Sequence, residues 1–192
     1  MSKFLAPIHF IMYDKILFLD KLTNKYIDFA EKNNIELESL NSLESIDYAP
    51  LDEIIDESNI HTWIQKRVSI VEDKLAYIVS EILKENETFE NEILEIAKNT
   101  GEEESFSGNP REAFVEISNK FLDGMPCDHA ISILEEDENL LKYKIEIDKH
   151  SEFWNYGINS NIYWKIRNSF IEGLIGKDLK LEKLDNIYEI RG

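Results

Sequence analysis

The chain has 192 residues, 43% of them hydrophobic, and carries 39 Asp and Glu against 21 Lys and Arg, a formal net charge of -18. That length allows a core without disulfides or structural metal as support, and the charge repels phosphate backbones and anionic headgroups. Direct binding of nucleic acid or of a membrane surface is therefore disfavoured, while a basic protein partner is permitted. A single cysteine cannot close an internal disulfide, and with no secretory signal or membrane-length apolar run the chain is assigned to a reducing cytoplasm. The abundance of Ile, Asn, Lys and Glu suggests an AT-rich bacterial genome.

Residues 7–33 are predicted to form a long helix starting at Pro7, because Ile8, Met12, Ile16, Leu19, Leu22, Tyr26 and Phe29 recur at helical steps. His9, Tyr13 and Asp20 lie along one border of that apolar arc. Residues 34–49 mix Asn, Glu and Ser with isolated Leu and Ile and read as an irregular segment lying over the bundle, and Pro50 begins a short helical piece. Asn59 can cap the next helix, which runs to about Lys84 with Ile60, Ile64, Val68, Val71, Leu75, Ile78 and Ile82 as its main stripe. His61 projects at nearly the angle of Val68 and is expected to face inward. A second stripe, Trp63, Ile70 and Tyr77, lies on the opposite side, so the helix is either central or half of an interface, and an uncovered stripe favours a homodimer.

A third helix is expected over residues 87–99, followed by a polar connection from Gly101 to Gly108. In Asn109-Pro110-Arg111-Glu112 the order of cap, proline and glutamate reads as a helix start. That helix stops at Gly124, where Gly124-Met125-Pro126-Cys127-Asp128-His129 joins a helical part, residues 1–123, to a hairpin, helix and C-terminal strands over 124–192 of one predicted domain. In extended backbone Cys127, His129, Ile131 and Ile133 share a face, and Leu141, Tyr143, Ile145 and Ile147 alternate with charged residues. The two runs form a hairpin around Glu136-Asp137-Glu138. For their apolar faces to coincide, paired residue numbers must sum to an even value, which aims Cys127 and His129 into the core. His150 lies among charged and hydroxyl residues and is expected to be exposed.

A short aromatic piece spans residues 151–156, and a further helix is predicted from about Ser160 to Ile175, apolar over more than half its circumference. Arg167 falls inside that apolar arc and must meet a carboxylate, a carbonyl array or an anionic ligand, since a guanidinium does not lose its charge. Residues 178–191 alternate loosely and are read as one or two more strands. The fold class expected is α+β, mainly helical: a bundle of about four main helices packed on a small antiparallel sheet in the C-terminal third.

No glycine-rich phosphate loop, paired-cysteine zinc spacing, di-iron Glu-x-x-His pair or nucleophile elbow is present. What stands out is scarce polar types placed on inward faces. His9, His61, Cys127 and His129 form a candidate metal set for zinc or iron, or for a haem axial position. Arg167, Tyr13, Tyr163 and Trp164 are the candidate ligand-binding residues, with Arg167 receiving an acidic group. The leading expectation is a cytoplasmic small-ligand- or metal-binding protein, a sensor or accessory factor. The rivals are an acidic interaction or immunity-type protein that masks a basic partner and, third, a Cys127-dependent enzyme. A lone core histidine bonded to a backbone carbonyl and a cysteine acting as a small hydrophobe are the plainer explanations of the same residues.

Overall fold

The structure, a computed structural model, describes residues 5–104, 106–124 and 128–192. Six α-helices and four strands follow in chain order: α1 Pro7–Lys32, α2 Leu51–Ile54, α3 Ile60–Glu85, α4 Glu90–Glu103, α5 Pro110–Ser118, β1 Ile131–Glu136, β2 Leu140–Ile145, α6 Asn161–Ile175, β3 Lys180–Leu184 and β4 Ile187–Arg191. The strands make one antiparallel sheet in the order β1-β2-β4-β3, so the α+β architecture and the C-terminal position of the sheet are as expected. No helix among the described residues is long and apolar enough to cross a membrane.

The helix starts follow the local chemistry of the chain. Pro7 stands at the first position of α1, and the backbone N–H of Ala6 donates to His9 Nδ1 at 3.0 Å. At α5 the expected reciprocal cap forms: Glu112 N–H donates to Asn109 Oδ1 and Asn109 N–H to Glu112 Oε2, each at 3.0 Å. Asn59 occupies the cap position of α3, but its side chain makes no capping bond.

α1 and α3 run against each other and bury Ile16, Leu19 and Tyr26 on one helix and Val71, Leu75 and Ile78 on the other. The second stripe of α3 is covered from within the chain. Residues 35–49 cross it, burying Ile35 and Ile46, and the Ser39 N–H donates to the Tyr77 hydroxyl at 2.9 Å. That cover is partial, since Tyr77 is buried and Trp63 and Ile70 are half-buried, so it reduces the surface on which the homodimer argument rested.

Helices α4 and α6 pack backbone against backbone. A Cβ added at Gly101 would fall 2.1 Å from the Phe170 carbonyl oxygen, and one at Gly173 would fall 2.0 Å from that of Lys98. This contact explains why α4 continues through Gly101 to Glu103 instead of ending at Asn99: a glycine within a helix lets a second helix approach, and the packing outweighs its poor propensity.

The hairpin keeps the even-sum register through Ile131↔Ile145 and Ile133↔Tyr143, then a bulge at Leu134 shifts it to Glu135↔Lys142. Leu141, Tyr143 and Ile145 are buried as expected, whereas Ile133 and Ile147 are exposed because the outer half of β1 and the chain beyond β2 extend past the covering helices. α5 lies across β2 and β4, with the Phe114 and Tyr143 rings 4.9 Å apart, and Tyr143 stacks on Tyr188 at 5.1 Å. Helices and sheet share one apolar core.

Candidate functional site

Beneath the junction of α3, α6 and the sheet lies a chain of buried charged groups. Glu72 comes from the middle of α3, Asp123 from the turn after α5, His150 from the connection after β2, Tyr143 from β2, and Tyr163 and Arg167 from α6. Glu72 Oε1 lies 2.9 Å from His150 Nδ1, and Asp123 Oδ1 lies 3.2 Å from His150 Nε2. Arg167 Nη2 donates to Asp123 Oδ2 at 2.8 Å and Nη1 to the Tyr143 hydroxyl at 3.4 Å. The Tyr163 ring stacks on the imidazole at 3.9 Å, and Trp164 meets the same ring edge-on at 5.5 Å.

His150 is only 1% exposed, contrary to the sequence expectation. Its polar flanks misled because they serve the turn: Asp148 Oδ1 accepts from the N–H groups of His150 and Ser151 at 2.8 and 3.0 Å, and Asp148 Oδ2 accepts from Trp164 Nε1 at 3.3 Å. The turn therefore carries its own hydrogen bonds and points the ring inward. Burial alone would lower the pKa of His150, but the Glu72 carboxylate and the hydrogen bond to Asp123 outweigh it and raise it to about 9, so the ring is an imidazolium at neutral pH. Burial would likewise raise Asp123, but the Arg167 guanidinium and His150 hold its carboxyl far below the usual carboxylate range. Arg167 thus meets a carboxylate, the first of the three partners its position allowed, and is fully buried. Glu72 Oε2, the Tyr163 hydroxyl and Arg167 Nε are buried without a hydrogen-bond partner among the described residues.

On the other side of Asp123 the network meets a cleft of about 380 Å³ between α1, α5, residues 123–124 and residues 129–131. Its walls include Ile8, Ile11, Met12, Phe114 and Ile131, and its polar lining includes Lys15, Asn119, Asp123 and His129. Lys15 is 8% exposed and makes no hydrogen bond or ion pair with any described residue. Burial pushes its amine down from the ordinary lysine value, and the Asp123 charge only partly opposes this.

The proposed metal residues do not share this location. His9 and His61 do approach, with ring centroids 5.6 Å apart and nearly perpendicular planes. However, His9 Nδ1 accepts the Ala6 N–H, so the neutral ring keeps its proton on Nε2 and presents a donor where a metal needs a lone pair. His61 is exposed: Ile60 and Ile64 beside it are buried, but the face it shares with Val68 is itself only half-buried there and is left uncovered in the first turn of α3. His129 is also exposed. It precedes β1 in a turn with φ of 50°, so strand alternation does not reach it, and it faces the cleft mouth instead of the core. Cys127 lies outside the described residues. Among those described, no three His, Cys, Asp or Glu side chains are grouped to hold a metal ion.

Of the candidate ligand-binding set, Tyr163, Trp164 and Arg167 do gather around His150, whereas the Tyr13 hydroxyl is 2.6 Å from the Asp47 carbonyl and holds the 35–49 segment in place. Sequence reasoning missed Glu72, Asp123 and Lys15. Glu72 and Lys15 carried a legible signal, since each falls inside an apolar helical stripe, Lys15 beside Ile16 and Met12 and Glu72 beside Val71 and Leu75. Asp123 carried none. Comparison of the chain with protein-family models, with curated proteins and with solved structures finds no match.

Proposed function

We propose that the protein binds a small amphipathic molecule in the cleft between α1 and α5, with its polar end at Lys15 and its apolar body against Ile8, Ile11, Phe114 and Ile131. The observation that carries this reading is Lys15: nine-tenths of the residue is buried, and its amine, without a partner among the described residues, opens into the cleft beside an apolar wall. A lysine normally keeps its ammonium in water along a snorkelling stem; here the stem is buried and the amine opens only into the cleft, so an occupant of the cleft would take the place of water as its acceptor. A volume of about 380 Å³ lies at the small end of the range of ligand pockets, which suits a molecule of six to ten heavy atoms, roughly.

Behind the cleft, the network from Glu72 to Arg167 gives Asp123 two fixed cations, so its carboxylate is held in one orientation and one charge state. In this reading Arg167, Tyr163 and Trp164 support the site from behind. The acidic-partner alternative rests chiefly on the net charge, because the α3 stripe is partly covered, with Tyr77 buried and Trp63 and Ile70 half-buried.

The test is a backbone amide NMR titration with 1-hexanol and hexanoate. Binding should move the resonances of residues 8–15, 114–119 and 129–131 together, and Ile11→Glu should abolish the shifts. Shifts scattered over the surface, or none up to millimolar concentration, would remove the proposal.

A further inference from the structure

Resting on the ligand-binding reading above, we infer that the cleft takes a small aldehyde or ketone and holds it covalently, as an imine on Lys15. Three observations separate a carbonyl compound from a carboxylic acid as the occupant. First, Lys15 has no fixed anion in contact: its ammonium makes no ion pair, although Asp123 lines the same cleft. Second, Asp123 is ionised and cannot move away, because His150 at 3.2 Å and Arg167 at 2.8 Å hold both of its oxygens. A second carboxylate placed beside it would meet like-charge repulsion in a poorly solvated wall, whereas a protonated imine would gain a ready counter-ion. Third, the wall around the amine is apolar, which favours the free base needed for attack.

The chemistry balances without any oxidant or reductant. The lone pair of the neutral amine attacks the carbonyl carbon, forming a C–N bond as the C=O π pair moves to oxygen. One proton passes from nitrogen to that oxygen to give a carbinolamine. A second proton, delivered to the hydroxyl, lets the C–O bond break and water leave. The amine and the carbonyl compound, plus one proton, become a protonated imine and one water. His129, at the exposed rim of the same cleft, is a side chain able to carry that proton in and out. The negative charge of Asp123, which lines the same cleft, acts on the imine's positive charge as it does on the Lys15 amine.

Reductive trapping tests this on the full-length protein. Hexanal with cyanoborohydride should add one hexyl group per chain, mapped by peptide mass spectrometry to Lys15, on the order of tenfold faster than to any surface lysine. Lys15→Arg, which keeps the charge but cannot form the imine, should lose this fast phase while its amide resonances away from the cleft stay those of the folded protein. His129→Gln should slow trapping without moving its site. Labelling spread evenly over the lysines while 1-hexanol still binds the cleft would overturn the imine and leave the binding reading intact. Preferential protection of the cleft by hexanoate over 1-hexanol, without Lys15 trapping, would overturn it in favour of a carboxylate ligand. No cleft response to any of the three probes would overturn both.

Discussion

Replacing His150 by glutamine should cost the protein much of its stability near neutral pH and little above pH 9 or so. The imidazolium faces Glu72 and Asp123 through its two nitrogens and the Tyr163 and Trp164 rings through its faces and edge, with Arg167 beyond Asp123. Its pKa rises on folding from 6.5 to about 9. A raised folded-state value means that the native state binds the proton more tightly, so the stabilisation is fully present below pH 6.5, declines through the interval, and is lost above about pH 9. That interval corresponds to ~3 kcal/mol for a fully buried group. Glutamine removes this and leaves two buried carboxylates short of a cation, so a loss of about 3–5 kcal/mol is expected at pH 6, out of a total of roughly 5–15 kcal/mol for a domain of this kind. Urea denaturation from about pH 6 to about pH 10 measures it, and the gap between the two proteins should close by ~3 kcal/mol across that range. If the variant does not fold, the imidazole resonances of the wild type report the same quantity directly. Parallel stability curves, or an imidazole that titrates below pH 7, would refute the reasoning.

Three further outcomes follow from the packing. Gly173→Ala, and equally Gly101→Ala, should destabilise by about 3 kcal/mol or more in the same assay, because the added carbon meets a backbone carbonyl at 2.0 or 2.1 Å and only separation of the helices relieves it. Asp20→Ala leaves the buried Lys74 ammonium, now bonded at 2.9 Å, with only Asn24 as acceptor, and should cost about 3 kcal/mol, more than any exposed pair. Tyr77→Phe should cost ~1 kcal/mol overall but speed proteolysis within residues 35–49 noticeably, since the Ser39 N–H loses its acceptor.

Most of the architecture is legible in the residue pattern: helix starts at Pro7 and Pro110, the β1–β2 hairpin, and two further strands after α6. Periodicity reports which face of an element is apolar, and that suffices where the element is covered along its whole length. It fails at the ends. His61 lies in the first turn of α3 on a face that is covered only further along the helix, at Val79, and His129 precedes its strand, where alternation does not yet hold. It also fails where a polar residue is buried by partners distant in the chain. Nothing near His150 announces Glu72, 78 residues away, or Asp123, 27 residues away. Arg167 was legible as a buried cation because an apolar helical arc surrounds it, though the identity of its carboxylate was not. Lys15 and Glu72 offered the same kind of signal, and charge inside an apolar stripe is the cue that leads to this site.

The strand order carries a consequence for biosynthesis. Residues 187–191 of β4 leave the ribosome after the other three strands of the sheet, yet they occupy its interior, between β2 and β3. Until they arrive, β2 has one open edge and Tyr143 lacks the ring of Tyr188 that stacks on it. The helical part can collapse early, but this layer closes only once residues 187–191 have been made. Stalled or truncated products would then expose an unpaired, partly apolar strand, the kind of surface that chaperones engage.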